Sequence, residues 1–324
     1  FTSGTTGSPK GAVLTHANVA SQIDALEEAW GWTPDDRLLS ALPLFHVHGL
    51  VVALFSALAT GGSISLMARF DATSFLAAMV GDDATMSFCV PTMLHRMASQ
   101  PSLEAAASLR LLVSGSAPLS VELFGAFRDA GATILERYGM TESLLTFSNP
   151  LDGERRAGTV GFPLPGVAAR LPEPGDGDAE LVVAGPGVFA GYWNRPEATA
   201  EVLVDGWLST GDLVRRDDDG YTMICGRSKE LIISGGFNVY PTEVEDVVRS
   251  QPGIIDVAVV GVPSPEWGEE VVAFVVVDGP SLDESMLRSR LDGLLSPYKI
   301  PRRFVVVDTL PRNDLGKLQR HLLR

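Results

Sequence analysis

The chain has 324 residues, 45% of them hydrophobic and 20% charged, which is enough to bury one large or two moderate cores. A net charge of −15 argues against a nucleic-acid or anionic-membrane surface, and two distant cysteines, Cys89 and Cys225, argue against a disulfide framework or a zinc cluster. The most apolar stretch, HGLVVALFSALATGG, falls short of the roughly 18–20 apolar residues a spanning helix needs, and no charged leader precedes an apolar run.

Residues 16–30 read as an amphipathic helix with Val19, Ile23 and Leu26 on one face. Short apolar strands then alternate with helices. RLLSALP leads to a helix from about His48 to Ala59, SISLM to a helix over 72–80, and MSFCV to a helix after Pro91. LRLLVSG leads to a helix over 121–130 and then to TILERYG. Strict alternation of this kind predicts a mostly parallel sheet covered on both faces. Past Gly158 the rhythm changes to short strands between Gly/Pro-rich turns, such as AELVVAG and GYTMICG, a small β-rich subdomain. Asp219-Gly220 supplies a hairpin turn, and the acidic run before it reads as a solvated turn rather than a metal site. A compact α+β pattern follows. Thr242 and Glu245 form a T-x-x-E capping box ahead of EVEDVVRS, then come strands IDVAVVGV and EVVAFVVV, a helix over about 283–294, and the strand RFVVVD. Residues 1–225 carry 13 Lys/Arg against 26 Asp/Glu and residues 226–324 carry 12 against 14, so the last third is relatively basic.

The first eleven residues, FTSGTTGSPKG, have the glycines and hydroxyls of a phosphate cradle, in which backbone N–H groups point inward. They are not a Walker A loop, since Pro9 stands where the second glycine belongs and Gly11 follows Lys10. Taken alone, the stretch also reads as a flexible linker.

Four further stretches follow in order: RYGMTE, GWLSTGD at 206–212, GRSKELIISGGFNVYP at 226–241 and PRNDLGK at 311–317. Together with the opening loop they resemble the adenylate-forming superfamily of acyl-CoA synthetases, adenylation domains and luciferases. The resemblance implies a large N-terminal αβ domain with a β-rich subdomain, incomplete at its start and covering residues 1–226. A small mobile α+β domain would cover residues 227–324, with Lys229 at the hinge. It implies ATP, Mg²⁺ and coenzyme A as reactants and cofactor and a small carboxylic acid as substrate; Cys89 and Cys225, each inside an apolar run, read as buried thiols of a reducing cytoplasm.

By that resemblance, Thr2, Ser3, Gly4, Thr5, Thr6 and Lys10 hold the β- and γ-phosphates, and Glu142 holds Mg²⁺. Thr141 contacts the α-phosphate, while Tyr138, Gly139, Met140, Ser116 and Ala117 border the adenine. Asp212 accepts the ribose hydroxyls and Arg227 binds them from the other side. Lys317 bridges carboxylate and α-phosphate as charge shifts in the adenylation step. The SGGFNVYP loop with Gly235 and Gly236 lines the thiol path, Asn238 in it stands at a phosphate-contacting position, and Lys299, Arg302 and Arg303 are partners for coenzyme A phosphates or plain surface charge. Chemistry that gathers negative charge between an anionic nucleophile and a polyphosphate needs cations and oriented donors more than a general base.

PLFHVHGL, VPTMLHRM, LLVSGSAPL and NPLDGERRAGTVGFPLPGV are similar to the malonyl-CoA synthetases within that superfamily. That finer resemblance puts His46 beside the acyl site and makes Arg96 the partner of the acid's distal carboxylate, with malonate or methylmalonate as substrate. Leu94 and Ser143 depart from the subgroup pattern. Other readings stay open: a medium- or long-chain acyl-CoA synthetase, an adenylation domain serving a carrier-protein thiol, an acyl-AMP ligase without thiol transfer, and a fragment that binds nucleotide without turnover.

Overall fold

Apolar tetrads such as Leu111–Ser114 and Met86–Cys89 are buried along their whole length, which is how a strand reads when helices cover both faces of its sheet. The computed structural model describes residues 1–2, 9–279, 282–312 and 318–323, and divides into two units. Residues 1–210 with 215–224 form the first, and residues 211–214 with 225–324 the second.

The first unit starts with α1 (His16–Trp30) and β1 (Arg37–Ser40), then a π-helical stretch (His48–Phe55) that runs into α2 (Ser56–Ala59). β2 (Ser63–Leu66), α3 (Ala72–Gly81), β3 (Met86–Cys89), α4 (Pro91–Ala98), β4 (Leu111–Ser114) and α5 (Val121–Asp129) keep the alternation. β5 (Ile134–Met140), β6 (Leu144–Ser148) and β7 (Phe162–Pro163) complete a seven-stranded sheet in the order β2-β1-β3-β4-β5-β6-β7. The strands from β2 to β5 are parallel, and β6 and β7 turn back antiparallel. Trp30 and Trp32 both pack edge-on against Phe88, at 5.3 and 5.8 Å between centroids, in the middle of this core.

Two local expectations need correction. The expected helix over 48–59 is π-helical through Phe55, and Gly49 lets its first turn approach the preceding loop: a Cβ there would sit 2.3 Å from the Pro43 carbonyl oxygen. The buried face of α1 is centred not on Val19 and Ile23 but on Asn18, Gln22, Ala25 and Leu26. Its polar members have work to do. Asn18 Nδ2 donates to the carbonyls of Pro186 and Val188 at 2.7 and 2.9 Å, and Gln22 Oε1 accepts from Leu145 N at 2.7 Å.

β8 (Ala168–Arg170), β9 (Ala179–Ala184), α6 (Pro196–Val202), β10 (Leu203–Val204), β11 (Trp207–Arg216) and β12 (Thr222–Arg227) supply the β-rich part, in the order β10-β11-β9-β8 with β12 beside β11. The hairpin between β11 and β12 turns at Gly220 (φ +87°), with Asp217 Oδ1 accepting from Asp219 N and Tyr221 N.

The second unit contains β13 (Ile232–Ser234), β14 (Phe237–Val239), α7 (Pro241–Arg249), β15 (Ile254–Ser264), β16 (Gly268–Val277), α8 (Glu284–Leu291) and β17 (Arg303–Val306). Its sheet runs β14-β13-β16-β15, with β17 parallel to β16. Val244 and Val248 of α7, and Leu287 and Leu291 of α8, bury against the β15–β16 valines. The capping box expected at Thr242 and Glu245 is absent. The helix begins one residue earlier, with Pro241 in its first turn; Thr242 Oγ1 donates to the Cys225 carbonyl, and Glu245 turns inward. A reciprocal box closes α1 instead, between Thr15 and Asn18. No helix among the described residues is long and apolar enough to cross a membrane.

Candidate active site

β5 leaves the parallel sheet and folds back on β6 through Thr141, Glu142 and Ser143. The fold-back needs a glycine at 139, because a Cβ there would stand 2.1 Å from the Leu144 carbonyl oxygen, and it holds Leu144 at φ +56°. Glu142 is 3% exposed. Its carbonyl accepts from Phe189 N at 2.8 Å, and its Oε1 accepts from Tyr192 Oη at 2.9 Å.

Tyr192 reaches the turn because residues 11–13 pair with 190–193. Trp193 N donates to Gly11 O at 2.8 Å, Val13 N to Gly191 O at 2.9 Å, and Ala190 N to Val13 O at 2.9 Å. Lys10 precedes this pairing. It closes the opening loop through a two-way backbone bridge to Thr2, at 2.8 and 2.9 Å, and its Nζ stands 4.8 Å from the centre of the Tyr192 ring. A cation and a carboxylate 132 residues apart in sequence, Lys10 and Glu142, therefore flank one phenol. Tyr138 lies on the same strand, half-buried and edge-on to Phe147. Ser3, Gly4, Thr5 and Thr6 lie outside the described residues, as does Lys317.

A second polar group sits at the carboxyl ends of β3, β4 and β5. Arg137 is 6% exposed, and its guanidinium lies across Gly115, where a Cβ would stand 2.3 Å from Cζ. Burial pulls its pKa down to about 9. His48, 3% exposed, stacks on Phe88, and its Nδ1 is 3.4 Å from Ser116 Oγ. Burial, then the charge of Arg137, hold its pKa well below the usual histidine range, so the ring is neutral. Ser116 itself is exposed with φ +74°, next to exposed Ala117. Glu136 points to the opposite face of β5, where its Oε1 accepts from Gly158 N at 3.0 Å, and burial pushes its pKa up to about 7.

Of the two residues expected around the acid, His46 adjoins this group and Arg96 stands apart from it. His46 is half-buried ahead of the π-helical stretch, its Nδ1 accepting from His48 N at 3.2 Å. Arg96 lies on the exposed face of α4, in a surface pocket with Phe70, His95 and Gln100.

In the second unit, Arg227 Nε lies 2.9 Å from Asp212 Oδ1, with the carboxylate buried. Lys229 is exposed in a short 3₁₀ turn. Gly235 and Gly236 make a two-residue hairpin turn at φ +58° and +82°, and Asn238 is exposed on β14. Lys299 pairs with Glu243 at 2.6 Å, and Arg302 stacks on Trp267 at 3.6 Å, so both already have partners in the fold; Arg303 Nε is 3.7 Å from Glu270 Oε1.

Sequence reasoning missed Tyr192 and Arg137. Nothing local marks Tyr192, whose place depends on a long-range pairing. Arg137 did leave a signal, a charge inside the strand ILERYGM, where arginine is rarely buried unless paired.

Among the described residues no three His, Cys, Asp or Glu side chains converge as a metal site. A divalent cation would find one carboxylate here, Glu142. That suits Mg²⁺, which commonly takes one or two carboxylates and fills its remaining positions with water and substrate phosphate.

Residues 1–193 match the AMP-binding enzyme family, and residues 243–317 match the AMP-binding enzyme C-terminal domain. A sulfoacetate–CoA ligase of Cupriavidus necator is 41% identical over 99% of this chain and 65% of its own length. A mitochondrial malonate–CoA ligase of Mus musculus is 37% identical over 99% of this chain and 62% of its own, and a feruloyl-CoA synthase of an Amycolatopsis species is 40% identical. The crystal structure of ATP-bound MatB from Rhodopseudomonas palustris superposes with a TM-score of 0.93 at 44% identity, covering 100% of this chain and 66% of that one. The chain thus spans a little under two thirds of the length of the first of these relatives.

Proposed function

The chain belongs to the AMP-binding enzyme family, and from that membership we propose that the whole protein is an AMP-forming acid–thiol ligase. A carboxylate oxygen of the acid attacks the α-phosphorus of ATP, forming acyl-adenylate and expelling pyrophosphate. The sulfur of coenzyme A then attacks the acyl carbon, and AMP leaves with the electron pair of the broken C–O bond.

The observation that carries this reading is the Lys10–Tyr192–Glu142 arrangement. It puts a cation beside the closed opening loop and a buried carboxylate in the adjacent turn, the two requirements of a metal-bound polyphosphate. Thr2, Lys10 and the intervening hydroxyls would hold the β- and γ-phosphates, Thr141 the α-phosphate, and Glu142 the Mg²⁺. When bound, Mg²⁺ offsets phosphate charge. Tyr192 orients the Glu142 carboxylate so that one oxygen is committed to the phenol. Tyr138, Gly139, Met140, Ser116 and Ala117 would border the adenine. Asp212 would accept the ribose hydroxyls with Arg227 beside it. Lys317 would bridge the acid and the α-phosphate during adenylation only, with Lys229 as the hinge between residues 1–226 and 227–324. Gly235, Gly236 and Asn238 would line the thiol path, with His46 at the acyl end.

For the acid, a small molecule with a second anionic group, malonate or methylmalonate, fits best. The sulfoacetate and malonate relatives are both named for acids of that description.

The test is AMP release by the full-length enzyme with ATP and coenzyme A across malonate, methylmalonate, acetate and octanoate. No AMP with any of them overturns the ligase reading, and preference for octanoate removes the dianionic acid alone. Lys317→Ala is expected to abolish adenylate formation while sparing thioester formation from supplied acyl-AMP; equal loss in both half-reactions would remove its assigned role.

A further inference from the structure

We infer that Glu230 and Arg320 are positioning residues for Lys317: their ion pair joins the stretch that follows the lysine to the turn that holds Lys229. The inference rests on the ligase reading above and on the role given there to Lys317.

Arg320 follows Lys317 by three residues, and Glu230 follows Lys229 directly. Across 90 residues of sequence, Arg320 Nη1 donates to Glu230 Oε2 at 2.7 Å. The other edge of the guanidinium, Nε with Nη2, faces Glu245 of α7, whose Oε1 also accepts from Val259 N on β15. The side chains of Arg320, Glu230 and Glu245 are 15%, 20% and 6% exposed, so salt screens the cluster little.

Apolar packing does not supply this tie. The 3₁₀ turn Arg320–Leu322 buries no residue, and Leu322 is largely exposed. A stretch without buried apolar contacts is held only as well as its polar bonds hold it. Those bonds are few: Leu318 bridges to Arg312, Gln319 N donates to Pro311 O at 2.9 Å, and Arg320 closes the ion cluster. Arg312 in turn pairs with Asp256 of β15 at 2.6 Å.

Glu245 alone meets the fork of Arg320 and balances its charge. Glu230 is therefore surplus to the stability of that pair. What its bond adds is a fixed link from the turn Ser228–Glu230 to the residues just after Lys317. A lysine that bridges two reacting anions must be placed to within about 0.5 Å, and residues away from the chemistry set that placement.

The experiment follows both half-reactions in the full-length enzyme, with the acid that releases most AMP in the panel above. One assay reads adenylate formation from acid and ATP, the other thioester formation from supplied acyl-AMP and coenzyme A. Glu230→Gln keeps the side chain's shape and removes its charge. It should slow adenylation roughly 10- to 100-fold, in kcat rather than in KM for ATP, with thioester formation and Tm unaltered. Arg320→Lys keeps the charge without the fork and should show the same selective slowing with a lower Tm. Glu230→Asp should restore part of the adenylation rate. Unchanged adenylation in Glu230→Gln, or equal slowing of both half-reactions, makes the cluster a matter of stability alone and overturns the inference. If Glu230→Gln does not fold, the same outcomes in Glu230→Asp decide it. A wild type that forms no adenylate overturns the ligase reading and this inference with it; an active wild type with unselective variants removes this inference alone.

Discussion

Arg137 of the first unit and Arg320 of the second are both drawn out of solvent, and their surroundings could hardly differ more. Arg320 sends Nη2 to both oxygens of Glu245, at 2.9 and 2.8 Å, and Nη1 to Glu230 at 2.7 Å. Glu245 in turn accepts from Val259 N at 2.7 Å, so the ion cluster ties the C-terminal 3₁₀ turn, α7 and β15 together. Arg137 has no such neighbours among the described residues. A satisfied buried charge ties elements of the architecture together; an unsatisfied one is held at a cost to the fold.

The comparison can be broken most forcefully at Arg320. Arg320→Met strands two carboxylates and should cost about 3–5 kcal/mol in denaturant unfolding, whereas Arg137→Met should cost nothing. If both lose stability alike, the distinction between the paired and the unpaired buried arginine fails. Next comes Glu136, whose folded pKa is about 7 against an ordinary 4.5. The folded state holds that proton more tightly than the unfolded chain. Its contribution is therefore full below pH 4.5 and is lost as pH rises through 7, by up to about 3 kcal/mol. Glu136→Gln should flatten that slope in a plot of Tm against pH; an unaltered slope would clear Glu136 of responsibility. The smallest effect belongs to Tyr192→Phe. Removing one hydroxyl from Glu142 should weaken Mg²⁺·ATP binding by about 1 kcal/mol, read as a rise in KM for ATP with Tm held. A larger loss of Tm would make Tyr192 a packing residue and nothing more.

The alternating apolar runs made the parallel sheet legible, because each short strand is buried on both faces and carries no competing helical period. Polar burial was harder to read. Asn18 and Gln22 define the inner face of α1 while looking like surface residues, since their partners lie at 145 and at 186–188. Thr242 and Glu245 have capping-box spacing, but Pro241 starts α7 early and the carboxylate goes to Arg320. The site divides in the same way. Lys10, Thr141 and Glu142 belong to short contiguous motifs, and the roles expected of them come from the resemblance those motifs carry. Tyr192 enters only through the pairing of residues 11–13 with 190–193, and the burial of Arg137 across Gly115 depends on strands β4 and β5 lying side by side, which no local sequence pattern displays.

Arg137, Thr141 and Glu142 are carried on one strand and the turn that ends it. Three residues of extended chain separate Arg137 from Met140, about 10 Å at the ordinary rise, and the hairpin with β6 keeps that span from stretching. β5 is therefore a stiff bar between a buried guanidinium and the turn that carries Glu142, so a change packed against Arg137 has no slack in the strand to absorb it before it reaches that turn.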